Sequence, residues 1–284
     1  MAMTIVFPSS ILNPKKIDED MFEEYQAVLE TEELKIILFD YDSWFNRGRL
    51  KLTEEPENEI SAVYRGWMMK PEQYADFFSQ LFEHHIRLVT TPEMYRLMHV
   101  FPNIYPFIAE DTAKIMTFPL HTTIDVQTVK KQFRRFMVKD FVKSVKGTEF
   151  PVFFDQSVSQ EEFDKWMNVF YKYRAGLLTG GICIKEYLEL KKYGEHTNEY
   201  RVFYINHEIA SVCRNSLQDT FTAEPPMAMV EKYKRLDSVF YTIDYAELSD
   251  GTWRIIEAGD GSVSGLSVSQ NFRSFFKTLY LLLN

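Results

Sequence analysis

The stretch YTIDYAELSDGTWRIIEAGDGSVSGL, Tyr241–Leu266, places two apolar runs on either side of Asp250-Gly251. Asp-Gly between such runs predicts a β-hairpin, because a two-residue type I′ loop needs positive φ at both central positions. That loop would set Ser249 opposite Thr252, Glu247 opposite Arg254, Ala246 opposite Ile255, Tyr245 opposite Ile256 and Asp244 opposite Glu257. Facing residues of antiparallel strands point to one side of the sheet, with Cβ atoms roughly 5 Å apart. Two carboxylates are therefore aimed at one point on a hairpin whose faces are otherwise largely apolar. Opposed like charges destabilise a sheet, and a shared proton or a cation relieves them. Mg²⁺ suits one or two carboxylates completed by phosphate oxygens and water. A register slip of one residue, or a solvated sheet end, gives both acids a bland reading, and the hairpin alone leaves the choice open.

The chain has 284 residues, enough for two domains or one large one. With 45% hydrophobic and 15% aromatic residues it can build a substantial core, which argues against disorder. A formal net charge of -9 argues against broad nucleic-acid binding, which rests on clustered Lys and Arg. The two cysteines, Cys183 and Cys213, sit in no paired metal or redox spacing, so neither a disulfide framework nor a zinc site is supported. "MAMTIVFPSS" lacks the basic region and apolar length of a signal peptide, and no segment is long and apolar enough to span a bilayer. The expected setting is the cytoplasm, without a membrane partner.

Strands alternate with helices over the first third. "MTIVFPSS", "LKIILFDYD", "SAVYRGWMM" and "IRLVTT" read as strands. "DEDMFEEYQAVLE", a Pro71-initiated "PEQYADFFSQLFEHH" and "TTPEMYRLMHVF" read as helices, the last with Thr90 and Glu93 spaced as a capping box. The pattern predicts a small parallel α/β domain over residues 1–115, closed by the proline-punctuated "FPNIYPFIAEDTAKIMTFP". Strand-rich sequence follows: "RRFMVKDFVKSVKG", "GGICIKEYLELKK" and "NEYRVFYINHEIASVCR", with a helix at "DQSVSQEEFDKWMNVFYKY". The chain ends in an amphipathic helix with Phe272, Phe275, Phe276, Leu279 and Leu283 on one stripe and Ser267 and Gln270 as a capping box. Residues 116–284 are expected to form an α+β region.

Several residues in this second region carry charge where chemistry could use it. Lys139 lies inside an apolar strand beside Met137 and Phe141, where a lysine needs an anionic partner or a route to water. Lys143, Lys146 and Gly147 form a basic loop able to fold over phosphates, although no Walker-type pattern is present. Glu186, Tyr187 and Leu188 end an apolar strand and could present backbone groups and apolar walls to a base edge. Glu199 and Arg201 share one strand face, either as a mutual surface pair or beside a phosphate.

Their order resembles the ATP-grasp fold: a strand lysine, a basic loop, a charged hinge strand, an E-x-R strand, then Asp and Glu on a hairpin. "RIIEAGDGSVSGL" and "YRGWMMKPEQY" are similar to a stand-alone clade of that superfamily, so the resemblance covers nearly the whole chain. It implies an N-terminal α/β domain followed by an α+β ATP-grasp domain whose two subdomains clasp ATP. By the same resemblance Lys139 and Lys146 contact phosphates, Glu186, Tyr187 and Leu188 hold adenine, and Glu199 or Glu189 holds the ribose. Asp244 and Glu257 would be the Mg²⁺ ligands. The chain departs from the family at the third ligand, where Gly259 replaces the usual Asn and Asp260 is the nearest substitute. It departs again at Thr242, where an arginine is usual; Arg201 and Arg214 are the candidates to replace it.

The implied activity is ATP- and Mg²⁺-dependent joining of a carboxylate to an amine through an acylphosphate, on small-molecule or peptide substrates. An ATP-dependent kinase using the same site and a non-catalytic nucleotide-binding protein are the alternatives. Arg65 ends the strand "SAVYRGW", where α/β sheets bind ligands. It is the candidate for the substrate carboxylate, with Trp67 as a wall; the other reading is an arginine paired with a neighbouring acid.

Overall fold

The computed structural model describes residues 3–215, 218 and 222–284. In its first part come β1 (Met3–Ser10), β2 (Asn13–Ile17), α1 (Phe22–Leu29), β3 (Leu34–Phe39), α2 (Tyr41–Arg47), β4 (Ile60–Tyr64), α3 (Pro71–Glu83), β5 (Ile86–Leu88) and α4 (Pro92–His99). β1 lies between β3 and β4, parallel to both, and β5 extends the sheet beside β4. It is buried along nearly its whole length, as a parallel strand covered on both faces should be. β2, which the sequence did not signal, folds back antiparallel at the end of β1. Asp40 ends "LKIILFD" as a strand by capping α2, accepting from the Ser43 amide at 3.0 Å. Pro71 opens α3 as expected. The cap of α4 is Thr91, which accepts from the Met94 amide, rather than Thr90.

The proline-punctuated segment contains a helix that the sequence did not signal, α5 (Phe101–Ile108). Pro102 lies in its first turn, where no amide hydrogen is needed. Next come β6 (Ile115–Pro119), α6 (Val126–Gln132), β7 (Arg135–Asp140), β8 (Phe154–Asp155), α7 (Gln160–Arg174) and β9 (Gly181–Glu186). They form an antiparallel sheet in the order β6-β9-β7-β8. Alternation along β7 and β9 sends Phe136, Val138, Ile182 and Ile184 into a core with Phe163 and Phe170 of α7. The other face presents Met137, Lys139, Cys183 and Lys185, since Met137 faces Lys185 and Lys139 faces Cys183.

The last part holds the two-residue strands β10 (Lys192–Tyr193) and β11 (His196–Thr197), then β12 (Glu199–Ile205), β13 (Glu208–Arg214), α8 (Met227–Lys232), β14 (Phe240–Glu247), β15 (Trp253–Asp260) and α9 (Phe272–Leu283). The main sheet runs β13-β12-β14-β15, all antiparallel. β12 and β13 turn at Asn206-His207, both at positive φ. α9 starts at Asn271, whose side chain accepts from the Ser274 amide, so Ser267 is not its cap. Phe275, Phe276 and Leu279 of α9 pack with Phe203 and Phe240 and also with Ala27 and Val28 of α1. The first and last sheets thus share a core.

The opening hairpin differs from its expected register, with a compensating outcome. Leu248 N–H donates to the Thr252 carbonyl at 2.7 Å and Gly251 takes φ 84°, so the loop has three residues, Ser249–Gly251. Glu247 therefore faces Trp253, Ala246 faces Arg254 and Tyr245 faces Ile255, not Arg254, Ile255 and Ile256. A bulge between Asp244 and Tyr245 then restores the offset, and Asp244 faces Glu257. Glu247 pairs with Lys191 at 2.7 Å instead of Arg254.

Candidate active site

Two sheet faces meet over a cleft: Lys139 and Lys185 from β7 and β9 on one side, Arg201, Asp244 and Glu257 from β12, β14 and β15 on the other. Arg201 faces Asp244 across the ladder and grips it bidentately, Nε–Oδ1 2.8 Å and Nη2–Oδ2 2.7 Å. Lys139 reaches across the cleft to 3.8 Å from Glu257. A cavity of about 130 Å³ opens here, lined by Arg201, Asp244, Glu257, Gly259, Thr242 and Ser264, with Lys143 and His99 also on its wall. The sequence-predicted Lys139, Arg201, Asp244 and Glu257 are therefore brought together.

Charge in the cleft is strongly coupled. Burial alone would raise the Glu257 carboxyl, but Lys139, Lys143, Lys185 and Arg201 outweigh it and hold it at about 2. Burial, with repulsion from Lys139, lowers Lys185 to about 7. Its ammonium sits 4.0 Å from the Phe101 ring centre and donates to the Ile256 carbonyl at 2.6 Å, the residue left over by the hairpin bulge. Lys139 lies 5.1 Å from the same ring. Burial, which disfavours charge on Arg201, is overcome by Asp244, so the guanidinium is held charged.

Asp244 and Glu257 suit a divalent cation: two facing carboxylates that phosphate oxygens and water can complete. Among the described residues no group of three or more His, Cys, Asp or Glu could hold a metal by itself. Asp260 does not join the pair. Alternation turns it to the opposite face of β15, where it is fully buried, and its Oδ2 has no hydrogen-bond partner. Burial raises its carboxyl to about 7. Over Gly259, Thr242 and Ser264 meet instead, their hydroxyls 2.9 Å apart, and an added Cβ would lie 3.2 Å from Ser264 Oγ.

Arg65 is also elsewhere. It is 2% exposed and grips Glu24 bidentately at 2.8 and 2.6 Å. Its remaining nitrogen donates to the carbonyls of Gly261 and Ser264. All its geometry is spent on the protein, so the paired-arginine reading replaces the substrate-carboxylate one. Trp67 donates to Asp18 at 3.3 Å.

The basic loop is anchored by Asp140, a residue the sequence gave no reason to select. Asp140 accepts from the Val142 and Lys143 amides at 2.7 Å each and from Arg174 at 2.8 and 3.0 Å. Lys143 lines the cavity, whereas Lys146 is exposed and does not. Just past the end of β9 the Tyr187 ring lies 4.6 Å from Phe153, with Arg135 over both at 5.4 Å. The Tyr187 amide donates to the Arg135 carbonyl, and Glu186 is paired with Lys114 through its amide and its carboxylate; Leu188 follows them. Glu199 accepts from Thr197 and, at 3.0 Å, from Asn215, while Glu189 accepts from Arg135 at 2.7 Å.

Sequence reasoning missed Lys185 and His99. Lys185 could have been found by the argument that singled out Lys139, since "ICIKE" also sets a lysine in an apolar strand. His99 ends an amphipathic helix and carries no such signal.

Among described residues no helix is long and apolar enough to cross a membrane. Among curated proteins, none matches this sequence. Solved structures similar in fold include D-cycloserine synthetase DcsG, at 14% identity over 99% of this chain and 100% of that one, TM-score 0.65. The D-alanine-D-alanine ligase from Coxiella burnetii aligns at 8% identity over 99% and 93%, TM-score 0.66. Macrocyclase MdnC from Microcystis aeruginosa MRC, bound with precursor peptide MdnA, aligns at 12% identity over 100% and 99%, TM-score 0.60. Residues 119–279 match the model of an ATP-grasp domain family, family 3 of its clade, and the chain belongs to that family.

Proposed function

We propose that this protein is an ATP- and Mg²⁺-dependent carboxylate–amine ligase working through an acylphosphate. The observation that carries the reading is the convergence of Asp244 and Glu257, face to face on the hairpin, with Lys139 crossing the cleft to them. We take residues 1–115 as the preceding α/β domain and 116–284 as the ATP-grasp domain. The acid and amine are small molecules or peptides, and the setting is the cytoplasm.

A carboxylate resists attack because its leaving group would be oxide. Transfer of the terminal phosphoryl group from ATP to a carboxylate oxygen releases ADP and leaves an acylphosphate. The amine then attacks the acyl carbon and inorganic phosphate departs. Such transfers need mostly positioning and charge neutralisation. Asp244 and Glu257 would hold Mg²⁺, whose charge offsets that of the phosphate oxygens when it is bound. Lys139 and Lys185, both over the Phe101 ring, would neutralise phosphates, and Lys143 would cover them from the loop. Arg201 orients Asp244 and has a second partner in the Gly265 carbonyl at 3.0 Å. Glu186, Tyr187 and Leu188 would hold the adenine edge and Glu199 the ribose. Exclusion of water by the 143–147 loop would protect the acylphosphate.

The test has two stages. Thermal unfolding is followed with Mg²⁺ and the non-hydrolysable nucleotide AMP-PNP, because a ligand of the native state raises its melting temperature. ADP release is then measured against a panel of acids with hydroxylamine as amine. A hydroxamate product supports ligation. ADP release without hydroxamate indicates a kinase, and nucleotide binding without ADP release under any condition indicates a non-catalytic binding protein.

A further inference from the structure

The cavity wall holds an ionisable side chain that the reading above leaves unused. His99 ends α4 and is nine-tenths buried, yet its ring lines the same cavity as Asp244, Glu257 and Lys143. Its ring is fixed by stacking rather than by hydrogen bonds. It lies 4.8 Å from Tyr95 at 28°, and Tyr95 lies 3.9 Å from Tyr74 at 4°. Tyr95 is itself locked, its hydroxyl donating to the Met69 carbonyl and accepting from the Met69 amide. Among the described residues neither nitrogen of His99 has a hydrogen-bond partner; only burial and the charges of Lys143, Glu257 and Lys139 act on it.

Several other polar groups on this wall have partners in the protein: Arg201 with Asp244, Glu257 with Lys139, Thr242 with Ser264. With no partner among the described residues and a place on the cavity wall, the imidazole is free to meet a ligand group there. Burial and the neighbouring lysines keep the ring neutral, so it carries one N–H donor. The lysines beside it mark an anionic ligand group.

Resting on the ligase reading, we infer that His99 touches the reacting group itself, donating a hydrogen bond to an oxygen of the phosphoryl group passing from ATP to the acid. In that step the bond from phosphorus to the ADP oxygen breaks and the bond to the carboxylate oxygen forms. His99 keeps its proton throughout. It is a catalytic residue in that it stabilises the group in flight, while nucleotide binding itself rests on the lysines and the hinge.

The experiment compares the affinity of Mg·ADP with that of Mg·ADP plus aluminium fluoride, which imitates a phosphoryl group in transfer, by titration calorimetry. Fluoride should tighten ADP binding to the wild-type protein. His99→Phe, which keeps the stack on Tyr95, should bind Mg·ADP within about twofold of wild type and lose about tenfold or more of the fluoride tightening, the scale of one hydrogen bond to a charged group. His99→Gln, which restores an N–H donor, should recover part of it, and melting temperatures establish that both variants fold. A wild-type protein that binds no ADP overturns the nucleotide reading and the inference with it. Wild type that binds ADP but gains nothing from fluoride overturns the assignment of His99 alone. So does a His99→Phe protein that gains as much as wild type, or a His99→Gln protein no better than His99→Phe.

Discussion

Two arginines in this molecule grip a carboxylate in the same bidentate way and do different things. Arg201 holds Asp244 at 2.7 and 2.8 Å, and Arg65 holds Glu24 at 2.6 and 2.8 Å. Both also bind the loop after β15, Arg201 through the Gly265 carbonyl and Arg65 through those of Gly261 and Ser264. The difference is access. The Arg201 side chain keeps 26% of its surface open on the cavity, while Arg65 keeps 2%. An ion pair on a cavity wall can exchange partners with an incoming cation or phosphate. A sealed pair cannot, because separating it strands a charge in low dielectric. Geometry of the pair alone does not reveal a functional arginine; what the pair faces does.

The sharpest break in the comparison comes at the open pair. Asp244→Asn removes a proposed Mg²⁺ ligand and should lower Mg²⁺-dependent ADP release by about 10³-fold, the several kcal/mol a metal ion contributes to a transferring group. The fold should survive, since Asn still accepts from Arg201. Full turnover in this variant, measured by ADP release, would place the metal elsewhere.

At the sealed pair the effect moves from activity to stability. Arg65→Ala leaves Glu24 buried without its partner and frees the Gly261 and Ser264 carbonyls. It should cost about 3–5 kcal/mol, read by denaturant or thermal unfolding. Arg65→Lys should recover little, because an ammonium cannot reproduce the fork. Unfolding curves like those of wild type would show that Arg65 is not the clamp described.

Lys139 offers a smaller effect on the open side. Lys139→Met keeps an apolar side chain in β7 and removes the cation beside Glu257. AMP-PNP affinity should fall about tenfold or more, on the scale of one charge-assisted contact of roughly 1.5–3 kcal/mol. Unchanged affinity in a folded variant would return Lys139 to a role as counter-ion for Glu257 alone.

How far the sequence carried these conclusions depended on the range of the signal. Alternation and turn chemistry are local, so β1, β7, β9, β12 and both hairpins were legible. The facing of Asp244 and Glu257 was legible only through two offsetting errors: the loop is one residue longer than expected, and the bulge returns that residue. α5 was hidden because its prolines signal a break, although the first-turn proline is compatible with a helix. The role of Arg65 was illegible in principle. Glu24 lies 41 residues away in sequence and the bound carbonyls nearly 200, so nothing local distinguishes a clamp from a substrate ligand. Asp260 was assigned by proximity to Glu257 along the chain, yet a strand turns alternate residues to opposite faces.

Asp260 supplies the finest test of the sealed region. Buried beside the Arg65 clamp with one oxygen unpaired, its carboxyl titrates near 7 instead of the usual 3.8. Burial is the main cause, and the bonds from Ser262 and the charge of Arg65 only partly oppose it. Between these two pH values the folded protein holds a proton that the unfolded chain has released. Stability attributable to this group is therefore greatest below the unfolded value, falls as pH rises through the window, and levels off above about 7. Asp260→Asn stays neutral throughout. The difference in unfolding free energy between variant and wild type should grow in favour of the variant by roughly 1 kcal/mol from pH 6 to pH 7, while titrations elsewhere cancel in the comparison. A difference that stays flat across this window would mean that Asp260 is ionised at neutral pH. The charge of Arg65 would then be shared between Glu24 and Asp260, and the sealed region would hold an anion of its own, as the open one does.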